Sequence, residues 1–110
     1  MNDELATLER ELADDGTVHF RLRGEVDLSN VEQLHDRMVR DAGDALRVVI
    51  DLTAIDYIDS QGLRLLNRLS RTVTGRHGTL EVVAPPGSVA RSVLDLTNMS
   101  DDLAVRGDPS

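Results

Sequence analysis

Hydrophobic and polar positions alternate with a period of two near the start of the chain. In residues 18–23, apolar side chains occupy the even positions and histidine or arginine the odd ones, which is typical of a strand with one buried face. A weaker alternation covers residues 8–13, and Asp15-Gly16 between the two segments is a strong signal for a tight turn. The pattern predicts an antiparallel hairpin with residues 8–13 as an edge strand.

Three later segments have the three-to-four-residue spacing of amphipathic helices. The first helix is expected to have its N-cap at Ser29 or Asn30 and to end at Gly43. The second begins after Asp59-Ser60 and runs to about Thr74, and the third follows residues 85–88. The residues predicted to be buried are, helix by helix, Val31, Leu34, Met38 and Ala42, then Leu65, Leu66, Leu69 and Val73, then Val89, Val93 and Leu96.

Nearly continuous apolar runs separate the helices. Residues 46–52 and 80–84 are typical of strands covered on both faces, and residues 103–105 add a last short strand. Strands that alternate with helices predict parallel crossovers. We therefore expect a single α/β domain over residues 1–110, ordered from about 6 to 105 and frayed at 106–110. Its mixed, mostly parallel sheet of four to five strands would carry an N-terminal antiparallel hairpin and pack against α-helices.

Composition removes several classes of function. The 110 residues include 20 acidic and 12 basic ones, for a net charge of −8, and the basic residues are all arginine. Without lysine there is neither a P-loop nor a pyridoxal Schiff base, and the acidic balance disfavours nucleic acid. The absence of cysteine, of a cationic leader and of a long apolar run is consistent with a cytoplasmic protein that does not bind a membrane.

Candidates for catalysis and metal binding are weak. No nucleophile–base pair is visible, so an enzyme is not expected, and no cofactor is implied. The histidines, His19, His35 and His77, lack the spacing of metal ligands. An alternative is a divalent-cation site formed by four acidic residues, Glu25, Asp27, Asp56 and Asp59. Cap and turn roles explain these residues equally well, and we expect no metal.

The segments 25–29 and 53–60 both follow predicted strands, and functional loops gather at the carboxyl ends of parallel strands. Ser60 is expected at or next to a helix N-cap, where free amides and the positive end of the dipole favour an added phosphate. Alternatively, Asp59 or Ser60 only caps the helix. Gly62 in a first helical turn costs about 0.5–1 kcal/mol relative to Ala, which indicates close approach of a ligand or of a neighbouring strand.

Two motifs in order resemble the STAS family, and more closely its small, single-domain bacterial anti-sigma-factor antagonists. The likeness extends from Thr17 to about Leu96, and its motifs are Gly24-Glu25-Val26-Asp27 before a helix and Asp51-Leu52-Thr53 with Asp59-Ser60-Gln61-Gly62-Leu63. The resemblance implies a phosphoprotein of transcription regulation and stress response. Its unphosphorylated form would bind an anti-sigma factor, an ATP-binding serine kinase, and so free a sigma factor. Phosphorylation at Ser60 would abolish binding, and a serine phosphatase would reverse it.

The resemblance also implies a partner-binding group, in which Leu63 is expected to be an exposed apolar anchor: Asp27, Ser29, Asp59, Gly62, Leu63 and Arg64. Ser29 is alternatively a helix cap, and the ring of Tyr57 is expected in the core. Departures from the family pattern are Arg64 in place of a small residue and Asn98-Met99 in place of Gly-Leu, which leaves the end of the third helix open.

The arginines at positions 64, 68 and 71 form one stripe on the exposed face of the second helix. This stripe is either a solvated face or a contact for acidic groups of a partner. Arg64 also lies one turn from Ser60, where it would partly neutralise a phosphate and weaken the switch. Two other functions stay open, a STAS scaffold that is never phosphorylated and a sensor of a nucleotide or lipid, and a homodimer is possible.

Overall fold

The predicted hairpin forms the first two strands of the sheet. The structure, a computed structural model, describes residues 5–97 and 103–107. Strand β1 (Ala6–Leu12) pairs antiparallel with β2 (Val18–Val26). Gly16 takes the left-handed conformation that the turn requires, with φ of 88°, and its N–H donates to the Ala13 carbonyl at 3.0 Å. The hairpin prediction is confirmed, with both strands longer or shifted by a few residues.

The remaining elements alternate as predicted. They are α1 (Val31–Ala42), β3 (Arg47–Ile58), α2 (Ser60–Thr74), β4 (Thr79–Val83), α3 (Val89–Leu96) and β5 (Ala104–Arg106). The described strands form one sheet in the order β1-β2-β3-β4-β5, in which only the β1–β2 pair is antiparallel. This confirms the α/β class and the five-stranded mixed sheet. Arg106, expected at the start of the frayed end, is instead the last residue of β5. The expectations for Asn98-Met99 and for residues 108–110 fall outside the described residues.

Helices α1 and α2 bury the apolar stripes that the spacing predicts. Helix α1 contacts β2 and α2, while α2 contacts β3 and β4. Both cover the sheet face that carries Phe20 and Leu22, each 1% exposed. An ion pair of 3.1 Å between Arg68 and Glu32 joins the two helices at the surface. Burial of alternate strand residues against two helical stripes therefore accounts for the main core.

Strand β3 is longer than predicted. It continues from Arg47 to Ile58, so residues 53–58 are strand rather than loop, and they pair with the end of β2. The register shifts twice, and at the second shift Asp56 is an extra residue between the pairs Gly24–Ile55 and Glu25–Tyr57. Such irregularities disrupt the period of two, since Ile55 and Ile58 are both buried although three residues apart. The interruption explains why alternation fails to predict this half of the strand.

The second face of the sheet differs from the predicted two-sided apolar burial. Val49 and Val83 are buried there, but charged side chains lie beside them. Arg21 contacts Glu9 at 3.4 Å, while Arg47 and Arg106 approach Glu81 at 3.2 and 3.3 Å. An open depression of about 680 Å³ on this face is lined by residues of β1 to β4 and of the hairpin turn. On this face, cross-strand ion pairs therefore lie beside the buried side chains of Val49 and Val83.

Of the three residues predicted to be buried in α3, only Val93 packs against the core, where it is partly buried. Ala90 and Leu94 are buried, whereas Val89 is 43% and Leu96 84% exposed. Ser88 caps the helix by accepting the Arg91 N–H at 3.2 Å, and the Arg91 side chain donates to the Ala84 carbonyl at 2.8 Å. In eight residues, apolar spacing is compatible with two faces. The bond to the end of β4 and the packing of α3 on β3 select the Ala90 face.

Candidate functional site

The carboxyl ends of β2 and β3 lie side by side. Val26 pairs with Ile58, and the residues that directly follow the two strands are Asp27 and Asp59. Because paired strands run about 5 Å apart, this register makes the two aspartates neighbours at one edge of the sheet. The expected meeting of the two segments is confirmed for residues 25–29 and 59–60, although the second segment reaches the edge as a strand.

The turn after β2 is fixed by its own side chains. One carboxylate oxygen of Asp27 accepts the Ser29 N–H at 2.9 Å and the Ser29 hydroxyl at 2.5 Å. Asn30 donates to the Glu25 carbonyl at 2.8 Å and accepts the Asp27 N–H at 3.0 Å. Asn30 occupies the N-cap position of α1, but its side chain holds the preceding turn instead of capping the helix. Ser29 is not a cap either, since its hydroxyl is bonded to Asp27.

Asp59 is the N-cap of α2. Its carboxylate accepts the backbone N–H of Gln61 at 2.9 Å and of Gly62 at 3.3 Å. Ser60 is the first helical residue, its side chain is exposed, and its hydroxyl forms no hydrogen bond within the described residues. The alternative that Ser60 is the cap is therefore wrong. The expected unpaired amides near its hydroxyl are also absent at Gln61 and Gly62, because Asp59 has taken both.

Gly62 is required by packing inside the domain. A Cβ on this residue would lie 2.8 Å from Ile58 Cδ1 and 3.1 Å from Val26 Cγ1. Of the two sequence interpretations, close approach of neighbouring strands is the one that the structure supports. The first turn of α2 thus sits tightly on the ends of β2 and β3, which holds Ser60 at the sheet edge.

Leu63 is buried, with 4% of its surface exposed, so the prediction of an exposed apolar anchor is wrong. It belongs to the main apolar cluster, as do Val26 and Ile58. The signal was present in the sequence, since Leu63 precedes Leu66 by three residues and continues the buried stripe of α2.

Two exposed apolar side chains lie in the segments that meet at this edge. Leu28, in the turn after Asp27, is 72% exposed, and Tyr57, at the end of β3, is 48% exposed. The expected core position of Tyr57 is wrong because Asp56 shifts the register and pairs Tyr57 with the exposed Glu25. Sequence reasoning missed Leu28. Its only signal is an apolar residue within a polar turn, off any helical or strand period.

The arginine stripe of α2 is exposed as predicted, but its members differ in their partners. Arg68 is paired with Glu32. Arg64 and Arg71 form no ion pair within residues 5–97 and 103–107. Arg64 therefore presents a cation one helical turn beyond Ser60, at an edge that also carries Glu25, Asp27, Asp56 and Asp59.

Two further features bear on the possible chemistry. Within the described residues, no three histidine or acidic side chains converge in an arrangement that could hold a metal ion, so the four acidic residues do not form the alternative cation site. No helix in this part of the chain combines the length and apolar character needed to span a membrane.

The fold and the edge described above define a small mixed α/β domain with a serine displayed at a helix tip. The chain belongs to the STAS domain family, whose family model matches residues 12–108. Comparison with curated protein sequences gives no significant match.

Solved structures of similar fold include antagonists of anti-sigma factors. One from Mycobacterium paratuberculosis has a TM-score of 0.75 and 25% identity, with 94% of this chain and 86% of that chain covered. Unphosphorylated SpoIIAA has a TM-score of 0.77 and 21% identity, covering 94% and 90%. Phosphorylated Bacillus SpoIIAA has a TM-score of 0.66 and 19% identity, covering 94% and 93%. The two SpoIIAA comparisons show a shared fold.

Proposed function

We propose that the protein is an anti-sigma-factor antagonist whose binding is switched at Ser60. The unphosphorylated form binds an anti-sigma factor, an ATP-binding serine kinase of the cytoplasm, and so frees a sigma factor. Phosphorylation at Ser60 abolishes binding, and a serine phosphatase restores it. The proposed role is that of a regulatory binding partner, not of an enzyme.

The observation that carries this proposal is the state of the Ser60 side chain. Its hydroxyl is exposed and unbonded within the described residues, because Asp59 does the capping. A kinase can therefore modify it without breaking a contact that the fold needs. Support also comes from membership of the STAS family and from the likeness to the mycobacterial antagonist.

Local charge is sufficient for the switch. Phosphoserine carries nearly two negative charges. Against a partner carboxylate about 6 Å away, these cost about 1 kcal/mol in bulk water and about 5 kcal/mol at a surface-like dielectric constant. The corresponding loss of affinity is about tenfold to several-thousandfold. No large conformational change is needed, which agrees with the hydrogen-bonded turn at Asp27 and the tight seat of Gly62.

The proposed partner surface combines polar and apolar groups at the sheet edge. Asp27, Ser29, Asp59 and Arg64 remain its polar members. Leu28 and Tyr57 supply the exposed apolar contacts in place of the buried Leu63. Gly62 and Leu63 do not contact the partner directly. They pack beneath the surface and so position the first turn of α2 on the sheet.

The experiment that tests the function combines capture with phosphorylation. The tagged wild-type chain is used to capture partners from its native cells, and the retained protein is expected to be an ATP-binding serine kinase. Incubation of the purified pair with Mg-ATP should add one phosphate by intact mass. Ser60→Ala should abolish the addition, while Ser92→Ala is the matched control because Ser92 is an exposed serine of α3 outside the proposed partner surface.

Labelling that persists undiminished in Ser60→Ala would refute the site. A Ser60 that stays unmodified in cells under every growth state would instead favour a STAS scaffold. Stabilisation of the purified chain by a nucleotide or lipid, without any kinase, would favour the sensor.

A further inference from the structure

A phosphate on Ser60 would have few donors in the backbone of its own helix. Helix N-termini ordinarily bind anions through their free amides. In α2, however, the N–H groups of Gln61 and Gly62 already donate to the Asp59 carboxylate. The N–H of Leu63 donates to the Asp59 carbonyl at 3.1 Å. The capping carboxylate also adds a negative charge on the residue next to the phosphate.

Arg64 is placed to supply the missing positive charge. Residues four apart on a helix are neighbours, and helical side chains lean toward the N-terminus, so position 60 lies within reach of the Arg64 side chain. Arg64 is exposed and forms no ion pair within the described residues, and hence no existing contact must break. Arg68 is two turns away and held by Glu32 at 3.1 Å.

We propose that Arg64 is the intramolecular counter-ion of phosphoserine 60. The planar guanidinium pairs with two phosphate oxygens, which is the geometry that arginine favours. The inference rests on the proposed function for the biological use of the phosphate, whereas the pairing is a property of the phosphorylated chain alone.

The pairing gives phosphorylation a second consequence. Before modification, Arg64 is free to meet an acidic group of the partner. After modification, the same arginine is held in cis while the phosphate repels that acidic group. The switch therefore loses an attraction as well as gaining a repulsion. The repulsion itself is smaller than a bare dianion would give, because Arg64 cancels part of the charge.

The test needs no kinase and no partner. Phosphoserine is introduced at position 60 by genetic encoding, and the phosphate is titrated by phosphorus NMR in low salt. Pairing with a cation favours the dianion, so Arg64→Gln should raise the titration midpoint by about half a pH unit. Arg64→Lys should restore part of the difference, and 1 M salt should remove most of it.

Arg71→Gln is the matched control. Arg71 is also an exposed arginine of α2 without an ion pair in the described chain, but it is eleven residues, or about 16 Å, from position 60. An Arg64→Gln shift no larger than the Arg71→Gln shift would overturn the proposal. If the shift is found but Ser60 is never modified in cells, the proposed function fails while the pairing stands.

Discussion

Asp59 accepts the backbone N–H of Gln61 at 2.9 Å and thereby leaves the intervening Ser60 outside the capping interaction. The two functions of a helix tip, closing the helix and displaying a reactive group, are thus divided between adjacent residues. A modification at Ser60 then leaves the cap in place.

Asp59→Ala should destabilise the domain by about 1 kcal/mol, because it leaves two helix amides without their acceptor. Asp59→Asn should lose much less, since the amide oxygen still accepts. The free energy of unfolding in urea measures both. Asp56→Ala is the control, as the Asp56 side chain is exposed and accepts no hydrogen bond in the described structure. Equal losses for Asp56→Ala and Asp59→Ala would contradict the assignment of the cap.

Gly62→Ala should be destabilising, although this change in a helix ordinarily stabilises by about 0.5–1 kcal/mol. The new methyl group would meet Ile58 and Val26, and overpacking of this kind costs about 1–3 kcal/mol. Urea denaturation decides the sign. Gln61→Ala, one residue earlier in the same turn, should stay close to wild type. A gain in stability for Gly62→Ala would show that the seat of α2 is looser than described.

The fold was largely predictable from the hydrophobic periodicity and from the residues that mark turns and helix ends. Asp15-Gly16 and the stripes of α1 and α2 are local signals, because turn geometry and helix amphipathicity depend on neighbours in sequence. The far half of β3 was not predictable in this way. Its pairing with β2 includes an extra residue at Asp56, and the resulting three-residue spacing of buried isoleucines fits no simple strand pattern.

The candidate site was predicted in position but not in orientation. Sequence alone brings Asp27 and Ser60 to one edge, since both follow strands of a parallel pair. Which side chains face outward there depends on tertiary packing. Leu63 turns inward with the stripe of α2, while the register shift turns Tyr57 outward. Whether Asp59 or Ser60 caps α2, and which of the two is left exposed, likewise depends on which residue takes the non-helical cap conformation.

Leu63→Ala and Leu28→Ala should have opposite profiles. Leu63 is 4% exposed, and truncation of a buried leucine costs about 2–5 kcal/mol of unfolding free energy. Leu28 is 72% exposed, and its truncation should change stability by less than about 0.5 kcal/mol. Binding to the captured kinase should instead fall for Leu28→Ala. Unaltered binding by Leu28→Ala and Tyr57→Ser together would remove the apolar part of the proposed surface.

The hairpin turn should lose stability in acid. Hydrogen bonding from the Thr17 backbone, and next from its side chain, lowers the pKa of Asp15 below its ordinary value of 3.8. A group with a lowered folded-state pKa stabilises the fold above its unfolded value, and this stabilisation is lost as the pH falls through the folded value. Asp15→Asn keeps an acceptor but cannot titrate.

The loss of stability from Asp15→Asn should therefore be constant near neutral pH and should shrink below about pH 4. Urea denaturation at pH 6.5 and pH 3 measures the difference. Asp14→Asn is the neighbouring control, because the Asp14 carboxylate accepts no hydrogen bond within the described residues. A difference between wild type and Asp15→Asn that does not change with pH would refute the role of the charge.

Ser60→Asp should weaken binding to the anti-sigma factor without abolishing it. A carboxylate carries one negative charge where phosphoserine carries nearly two, so it supplies about half of the repulsion. It is also a poorer partner for Arg64, because a phosphate offers three oxygens. Ser60→Asn, of similar shape and no charge, separates charge from size. Affinities by calorimetry should fall in the order Ser60→Asn, Ser60→Asp and phosphoserine, and equal losses for the first two would mean that bulk, not charge, expels the partner.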